Sequence, residues 1–135
     1  MDLEGVDVLV DGLLGTGLSG PVRGAYLEII QHLNQVPAPV FALDIPSGLC
    51  SDTGAVLGAA ISASRTISFI GLKQGMFTGE GRAHSGEVHF HDLAVPAAVL
   101  EAVPADCRRL DSEDLACFLP PRSGTAHKGH FGHVL

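Results

Sequence analysis

The sequence predicts an α/β protein with a mainly parallel β-sheet. Short runs of mainly apolar residues alternate with segments in which apolar residues recur at helical spacing, at about 30 residues per unit. Because these runs are apolar on both faces, they are typical of strands in a parallel sheet that is buried on both faces. Seventeen glycines and eight prolines stand beside many of these runs. Such punctuation is typical of an α/β protein with tight loops rather than of a helical bundle.

Four segments are expected to form the strands of this sheet. The first two are β-branched or apolar runs that end at an aspartate, and the third follows a basic residue. The fourth is weaker because it contains charged and polar residues. The predicted strands cover residues 6–10, 40–43, 65–70 and 87–90.

Helices are expected between the strands and near the end of the chain. Pro21 suits the first turn of a helix, because the missing N–H of proline is not needed there. Apolar residues then recur at helical spacing, and Asn34 and Pro37 mark the helix end; they are Val22, Tyr26, Ile29, Ile30 and Leu33. A second helix of small residues is expected over 55–63. Residues 71–86 are expected to form a long loop, a helical turn to follow at 96–99, and a short helix to begin near Ser112.

Composition and charge exclude several classes of function. The 135 residues are 46% apolar and 17% charged, which is enough for a buried core. The net charge of −7 argues against nucleic-acid binding and against docking on acidic membranes. The sequence contains no run of about 20 apolar residues, which is the length needed to span a bilayer. The acidic start of the chain, and three cysteines without zinc or redox spacing, predict a cytoplasmic protein with reduced thiols.

Asp11 and Asp44 end two neighbouring predicted strands. In open α/β sheets the ligand crevice lies beyond the carboxyl ends of the strands, so both carboxylates are expected there. One alternative is that each aspartate only caps its following loop through side-chain hydrogen bonds. Because two such aspartates occur, each before a glycine- or proline-containing turn, we favour a functional role.

The first of these turns has the composition of an anion-binding loop. Glycines at 15, 17 and 20 let backbone N–H groups approach a phosphate, and a helix is expected directly afterwards. Arg23 could add positive charge or could be a solvated surface residue. The pattern is neither a P-loop nor a complete G-x-G-x-x-G, so a simple strand-to-helix turn remains an alternative.

The second turn brings a carboxylate and a hydroxyl together. Asp44 and Ser47 lie three residues apart around the rigid Pro46. Hard oxygen ligands of this kind suit an alkali or alkaline-earth cation. The carboxylate could equally act as a general acid or base. No histidine nearby in the sequence supports a catalytic triad.

Three segments together resemble the NAD(P)H-hydrate epimerase domain. They are residues 7–20 (DVLVDGLLGTGLSG), 42–54 (ALDIPSGLCSDTG) and 66–75 (TISFIGLKQG), in the order and spacing of that family. Residues 86–95 resemble its closing strand. The tail, KGHFGHVL at 128–135, resembles the opening of the ADP/ATP-dependent NAD(P)H-hydrate dehydratase domain, which follows the epimerase in bifunctional repair enzymes.

The resemblance implies a Rossmann-like three-layer sandwich and a metabolite-repair activity. An isomerase of this family interconverts R- and S-NAD(P)HX, the hydrated forms of the nicotinamide cofactor, and the associated lyase dehydrates the S form. Asp11 and Ser47 would be potassium ligands. Asp44 would contact the nicotinamide end as the catalytic, proton-handling carboxylate, whereas Lys73 has no assigned role. Backbone N–H groups would bind the substrate phosphates at Gly15, Thr16, Gly17, Leu18, Ser19, Gly20 and Pro21.

The family's glycine- and asparagine-rich G-N-N-G-G-D loop does not occur in these residues. The resemblance therefore implies an epimerase domain without its N-terminal part over 1–103, a linker over 104–126 and the beginning of a dehydratase domain over 127–135. We expect these residues to have little turnover alone. ADP or ATP and magnesium would serve only the missing dehydratase domain.

Relatives of this family are often dimeric, which implies a possible homodimer or higher oligomer with NAD(P)HX as the small-molecule partner. Two other hypotheses remain open. One is a nonenzymatic binding module built on a partial epimerase-like domain. The other is an unrelated nucleotide-binding protein of Rossmann-like fold.

Overall fold

The computed structural model describes residues 3–116, 118 and 125. The chain divides after Val103 into two compact units. The first unit holds the sheet, and the second begins at Pro104. The predicted start of a dehydratase domain at 127–135 lies outside the described residues. The same is true of residues 117, 119–124 and 126 at the end of the predicted linker.

The first unit contains a four-stranded sheet in which all neighbouring strands are parallel. The strands are β1 (Leu9–Asp11), β2 (Val40–Leu43), β3 (Arg65–Phe69) and β4 (Glu87–His91), and their spatial order follows the sequence. In the register Asp11 lies opposite Ala42, and Ala42 lies opposite Thr66. The prediction of an α/β fold on a parallel sheet is confirmed.

Helix α1 (Gly24–Leu33) covers one face of this sheet. Its fully buried Ile30 packs with Val40 and Ala42 of β2, and with Ile61 from a later loop. On the opposite face Val10 and Leu43 are exposed. One buried cluster therefore lies between the sheet and α1, and a second, formed by Ile45, Leu49, Ala60 and Met76, includes the turn after β2.

The start of α1 differs from the prediction. The helix begins at Gly24, so Pro21 lies outside its first turn, and Arg23 is extended. The reason is a main-chain hydrogen bond: Val22 N–H donates to the Leu57 carbonyl at 2.8 Å, which holds this segment in a non-helical path. Tyr26 is exposed and does not belong to the buried stripe of the helix.

The predicted helix over 55–63 is wrong, because this segment is irregular, with one isolated bridge between Val56 and Leu49 and a bend at Gly58. Its backbone pairs with the turn that follows β2: Leu57 N–H donates to the Gly48 carbonyl and Ile61 N–H to the Ser47 carbonyl, both at 2.9 Å. Gly58, at φ +87°, interrupts any helix here. The small side chains suited a helix, but the backbone donors are used by the neighbouring turn instead.

The connection between β3 and β4 is not one long loop as predicted. It contains a 3₁₀ turn over Gln74–Met76 and a short helix, α2 (Gly81–Ser85). Beyond β4, α3 (Ala97–Ala102) begins after Pro96 and confirms the helical turn expected there.

In the second unit, α4 (Ser112–Ala116) confirms the expected short helix. The carboxylate of Asp111 accepts the N–H groups of Glu113 and Asp114 at 2.9 Å, as at a capped helix start. The hydrogen bond from the Asp114 N–H lowers the pKa of the Asp111 carboxyl. Arg108 pairs with Asp114. Each helix among the residues that the structure describes is too short or too polar to span a lipid bilayer.

Substitution of Gly48 tests the contact between the turn after β2 and residues 55–63. Gly48 has φ +91°, and a Cβ placed on it would lie 1.8 Å from the Ala59 carbonyl oxygen. We expect Gly48→Ala to lower the free energy of unfolding by about 3 kcal/mol.

Denaturant unfolding of the chain measures this effect, with Gly71→Ala as the control. Gly71 lies in open space, without a left-handed backbone, so its substitution is expected to change stability by less than about 1 kcal/mol. Equal effects of the two substitutions would contradict the packing described for Gly48.

Candidate functional site

The chemically distinctive side chains lie at the carboxyl ends of the first three strands. Asp11 is the last residue of β1, and Asp44 follows β2 directly. Ser47 belongs to the turn after β2, and Lys73 follows β3. In a parallel sheet these ends share one edge, which is the usual place of a ligand crevice.

Asp11 is buried, with 1% of its surface exposed, and its carboxylate holds the turn after β2. Its Oδ2 accepts the Ser47 N–H at 2.8 Å, and its Oδ1 accepts the Ser47 hydroxyl at 2.6 Å. Oδ1 also accepts the Leu13 N–H at 3.2 Å. Asp11 therefore caps its own loop, as the structural alternative predicted, and also joins two strand ends.

The oxygen atoms around Ser47 outnumber the protons available to them. The Ser47 hydroxyl accepts the Leu14 N–H at 2.9 Å and lies 3.1 Å from the Leu14 carbonyl oxygen. Its single proton can satisfy either that carbonyl or the closer Asp11 carboxylate. Among the described residues, no lysine, arginine or histidine forms an ion pair with Asp11. The arrangement is a buried, oxygen-rich cluster with net negative charge.

Asp44 is held in an unusual backbone conformation beside this cluster. Its φ is +69°, a left-handed value that is uncommon for a residue other than glycine. Two bonds to β3 hold it: its own N–H donates to the Ile67 carbonyl at 2.8 Å, and its Oδ1 accepts the Phe69 N–H at 3.0 Å. Such conformations concentrate at functional sites, where the surrounding structure compensates for the strain.

Lys73 forms an ion pair with Asp44 that the sequence did not predict. Its ammonium group contacts Asp44 Oδ1, and the side chains are 17% exposed for Lys73 and 30% exposed for Asp44. The prediction left Lys73 without a role, and the structure places it against the candidate catalytic carboxylate. The sequence contained two signals, a lysine a few residues beyond a strand end and its place in the family-like segment 66–75, and neither identified a partner.

The loop over 15–21 follows β1, and most of its residues are exposed. Leu18 N–H donates to the Gly15 carbonyl at 3.2 Å, and the Leu18 side chain packs against the core. Within the described residues, the N–H groups of Thr16, Gly17, Ser19 and Gly20 donate to no protein carbonyl. Pro21 contributes no N–H, so it can shape this loop but cannot donate to an anion. The loop therefore presents several free backbone donors to solvent, close in sequence to Asp11.

The turn after β2 continues into a tight loop that contains Cys50. Its backbone N–H donates to the Ala55 carbonyl at 2.9 Å. The Thr53 side chain, hydrogen-bonded to the thiol, lowers the pKa of Cys50.

Among the described residues, no group of three or more histidine, cysteine, aspartate or glutamate side chains is arranged to hold a metal ion. A cation beside Asp11 and Ser47 would therefore need hydroxyl and carbonyl oxygens as ligands in addition to the carboxylate.

Comparison with known proteins points to one enzyme family. The bifunctional NAD(P)H-hydrate repair enzyme of Escherichia coli (strain K12) is 44% identical over 132 residues, which are 98% of this chain and 25% of that protein. Its counterpart in Leishmania braziliensis is 45% identical over 134 residues, 96% of this chain and 24% of that protein. The NAD(P)H-hydrate epimerase of Legionella pneumophila is 37% identical over 103 residues, 76% of this chain and 38% of that protein.

The chain spans about a quarter of the length of these bifunctional relatives. The family model described as YjeF-related protein N-terminus matches residues 1–75, which include the ends of β1, β2 and β3 with Asp11, Asp44 and Lys73. Because this match covers more than half of the chain, the protein belongs to the YjeF-related protein N-terminus family.

Proposed function

We propose that these residues form part of an NAD(P)H-hydrate epimerase, within a nicotinamide-nucleotide repair enzyme. The observation that carries the proposal is Asp44, a partly exposed carboxylate fixed at the crevice edge of the sheet. The Legionella relative is named as an NAD(P)H-hydrate epimerase, and the E. coli relative as a bifunctional NAD(P)H-hydrate repair enzyme. These names favour an enzyme over a nonenzymatic binding module.

Asp44 is suited to move one proton during epimerisation. The two epimers of a hydrated nicotinamide ring differ at the carbon that bears the hydroxyl group. Inversion can proceed if the hydroxyl group loses its proton and becomes a carbonyl while the bond from this carbon to the ring nitrogen breaks, with the electron pair passing to the nitrogen and the conjugated carboxamide. The nitrogen then attacks the opposite face of the carbonyl, the bond re-forms, and the proton returns to the oxygen. A carboxylate can accept that proton and give it back, so no proton is consumed overall.

The loop over 15–21 is the proposed binding site for the substrate phosphates. Its free N–H groups can donate to phosphate oxygens without any basic side chain. This explains how a chain with a net charge of −7 can bind an anionic nucleotide. Arg23 is exposed at the end of the loop and can add charge at its rim.

The oxygen cluster fits the potassium ion that the family resemblance implies. Asp11 and Ser47 would hold the ion, with the Leu14 carbonyl oxygen close by. Carboxylate, hydroxyl and carbonyl oxygens are suitable hard ligands, and the buried charge of Asp11 has no cationic side chain beside it in the described residues. A bound ion would supply positive charge between the phosphate loop and the turn that carries Asp44.

The rest of the predicted organisation forms part of this proposal. We propose the C-terminal part of an epimerase domain over 1–103, a linker over 104–126 and the start of a dehydratase domain over 127–135, with ADP or ATP and magnesium used by that further domain. A homodimer or higher oligomer in the cytoplasm remains a prediction from the family and from composition.

Replacing Asp44 tests the proposed chemistry. Because the chain spans a quarter of its bifunctional relatives, activity is measured in a hybrid enzyme, in which these 135 residues replace the matched segment of the E. coli relative. We expect Asp44→Asn to lower the rate of interconversion of R- and S-NADHX at least about 100-fold, because the amide cannot accept the proton. Chromatographic separation of the epimers measures this rate.

Asp7→Asn is the matched control, because Asp7 is exposed and precedes β1. It is expected to leave the rate unchanged, and both variants are expected to keep the circular dichroism of the unsubstituted hybrid. A fully active Asp44→Asn hybrid would remove Asp44 from the chemistry. An inactive unsubstituted hybrid, beside an active E. coli enzyme, would overturn the proposed function.

Potassium binding has a separate readout in the stability of the chain. At equal ionic strength, KCl is expected to raise the free energy of unfolding over choline chloride by about 1.4 to 2.7 kcal/mol, when potassium exceeds its dissociation constant 10- to 100-fold. Asp11→Asn and Ser47→Ala are expected to reduce or remove this difference, because the first removes the negative charge of one proposed ligand and the second removes the hydroxyl oxygen of the other.

Asp52→Asn serves as the control, because Asp52 is an exposed acidic residue whose loss should not alter the potassium effect. Denaturant unfolding in the two salts measures all four proteins. The same stability in both salts for the unsubstituted chain would reject potassium binding.

A further inference from the structure

The Lys73 ammonium group is surrounded by three acceptors. It contacts Asp44 Oδ1, lies 2.9 Å from the Phe69 carbonyl oxygen and lies 3.4 Å from the Ser68 hydroxyl oxygen. An ammonium group has three N–H donors, and here each has a protein acceptor. Lys73 therefore has no donor left for a substrate, although it touches the candidate catalytic carboxylate.

The two oxygens of Asp44 are unequal as a result. Oδ1 accepts both the Lys73 ammonium and the Phe69 N–H. Oδ2 accepts no hydrogen bond from any residue that the structure describes, and the side chain is 30% exposed. One oxygen is thus fixed by β3 and its following loop, and the other is available at the crevice.

We propose that Lys73 is the positioning residue of this site, which fixes Asp44 so that Oδ2 is the oxygen that exchanges a proton with the substrate. The inference rests on the proposed role of Asp44 in epimerisation. Lys73 acts through Asp44, because its own donors are satisfied by the protein.

The backbone around Lys73 is built to hold this position. Ile70 has φ +64°, which turns the chain sharply after β3, and is rare for a β-branched residue. Lys73 then precedes the 3₁₀ turn, where its carbonyl accepts the Met76 N–H at 3.1 Å. Gly75 N–H in turn donates to the Ser51 carbonyl at 2.6 Å, which ties this turn to the loop after β2. The Lys73 ammonium group therefore lies beside the carboxyl end of β3, where it contacts Asp44.

Substitutions of Lys73 in the hybrid enzyme test the proposal by separating kcat from KM. We expect Lys73→Met to lower kcat about 10- to 100-fold, the usual effect of a misplaced catalytic group, with KM for NADHX changed less than threefold. Lys73→Arg should recover part of kcat, because it keeps the charge but its planar group cannot meet all three acceptors. Arg82→Met is the control, because Arg82 is an exposed cation in the same connection, and it should leave kcat and KM unchanged.

A second measurement, on the chain itself, does not depend on activity. The Phe69 N–H donates to Asp44 Oδ1, so its hydrogen exchange reports whether the carboxylate is fixed. In Lys73→Met we expect the Phe69 amide to exchange at least about tenfold faster. The Ile67 amide of the same strand should change less than twofold, which separates this effect from a general loss of stability.

The possible results distinguish the two proposals. An unchanged kcat in Lys73→Met, or an unchanged Phe69 exchange rate, overturns the positioning role while leaving the role of Asp44 intact. A higher KM with normal kcat also overturns it, because Lys73 would then bind substrate. If the unsubstituted hybrid is inactive, the proposed function fails, and the exchange of Phe69 still decides whether Lys73 fixes Asp44.

Discussion

The hydrogen bonds between the buried Asp11 carboxylate and Ser47 are the constraint on which the arrangement of the site depends. A carboxylate removed from water is costly unless its oxygens are well paired. Asp11 meets this requirement by accepting the Ser47 N–H, the Ser47 hydroxyl and the Leu13 N–H. Because these donors come from the loops after β1 and β2, the cost of burying the charge is offset only when both loops adopt these conformations.

The position of the turn after β2 determines the positions of several other parts of the molecule. The Ser47 and Gly48 carbonyls accept the N–H groups of Ile61 and Leu57, which hold residues 55–63 against this turn in a non-helical path. The Leu57 carbonyl then accepts the Val22 N–H, just beyond the loop over 15–21. A chain of backbone bonds thus runs from the turn to the end of the proposed phosphate loop. Removing the Asp11–Ser47 contact would disturb the oxygen cluster and the loop together.

The sequence predicted the parts that local chemistry determines. β2 has the expected bounds, and Asp11, Asp44 and Ser47 lie at the expected edge of the sheet, because apolar runs that end at an aspartate mark parallel strands. Burial on both faces is not observed in this part of the chain, since Val10 and Leu43 are exposed. The helix predicted over 55–63 was wrong. Its small residues are compatible with a helix, but its N–H groups donate instead to the Ser47 and Gly48 carbonyls, which belong to an earlier part of the sequence. The contact between Lys73 and Asp44 was missed for the same reason: it joins residues 29 positions apart.

The two aspartates show how the surroundings give one side-chain type two roles. Asp11 is fully buried, and both of its oxygens accept hydrogen bonds that organise the fold, so it suits a structural or cation-binding role. Asp44 is partly exposed, and hydrogen bonds from Lys73 and Phe69 converge on one of its oxygens alone. Pairs of carboxylates in unlike environments are a common basis for dividing tasks within a site. Here the division follows from the turn that joins them, because it orders Ser47 against the first carboxylate and presents the second to the crevice.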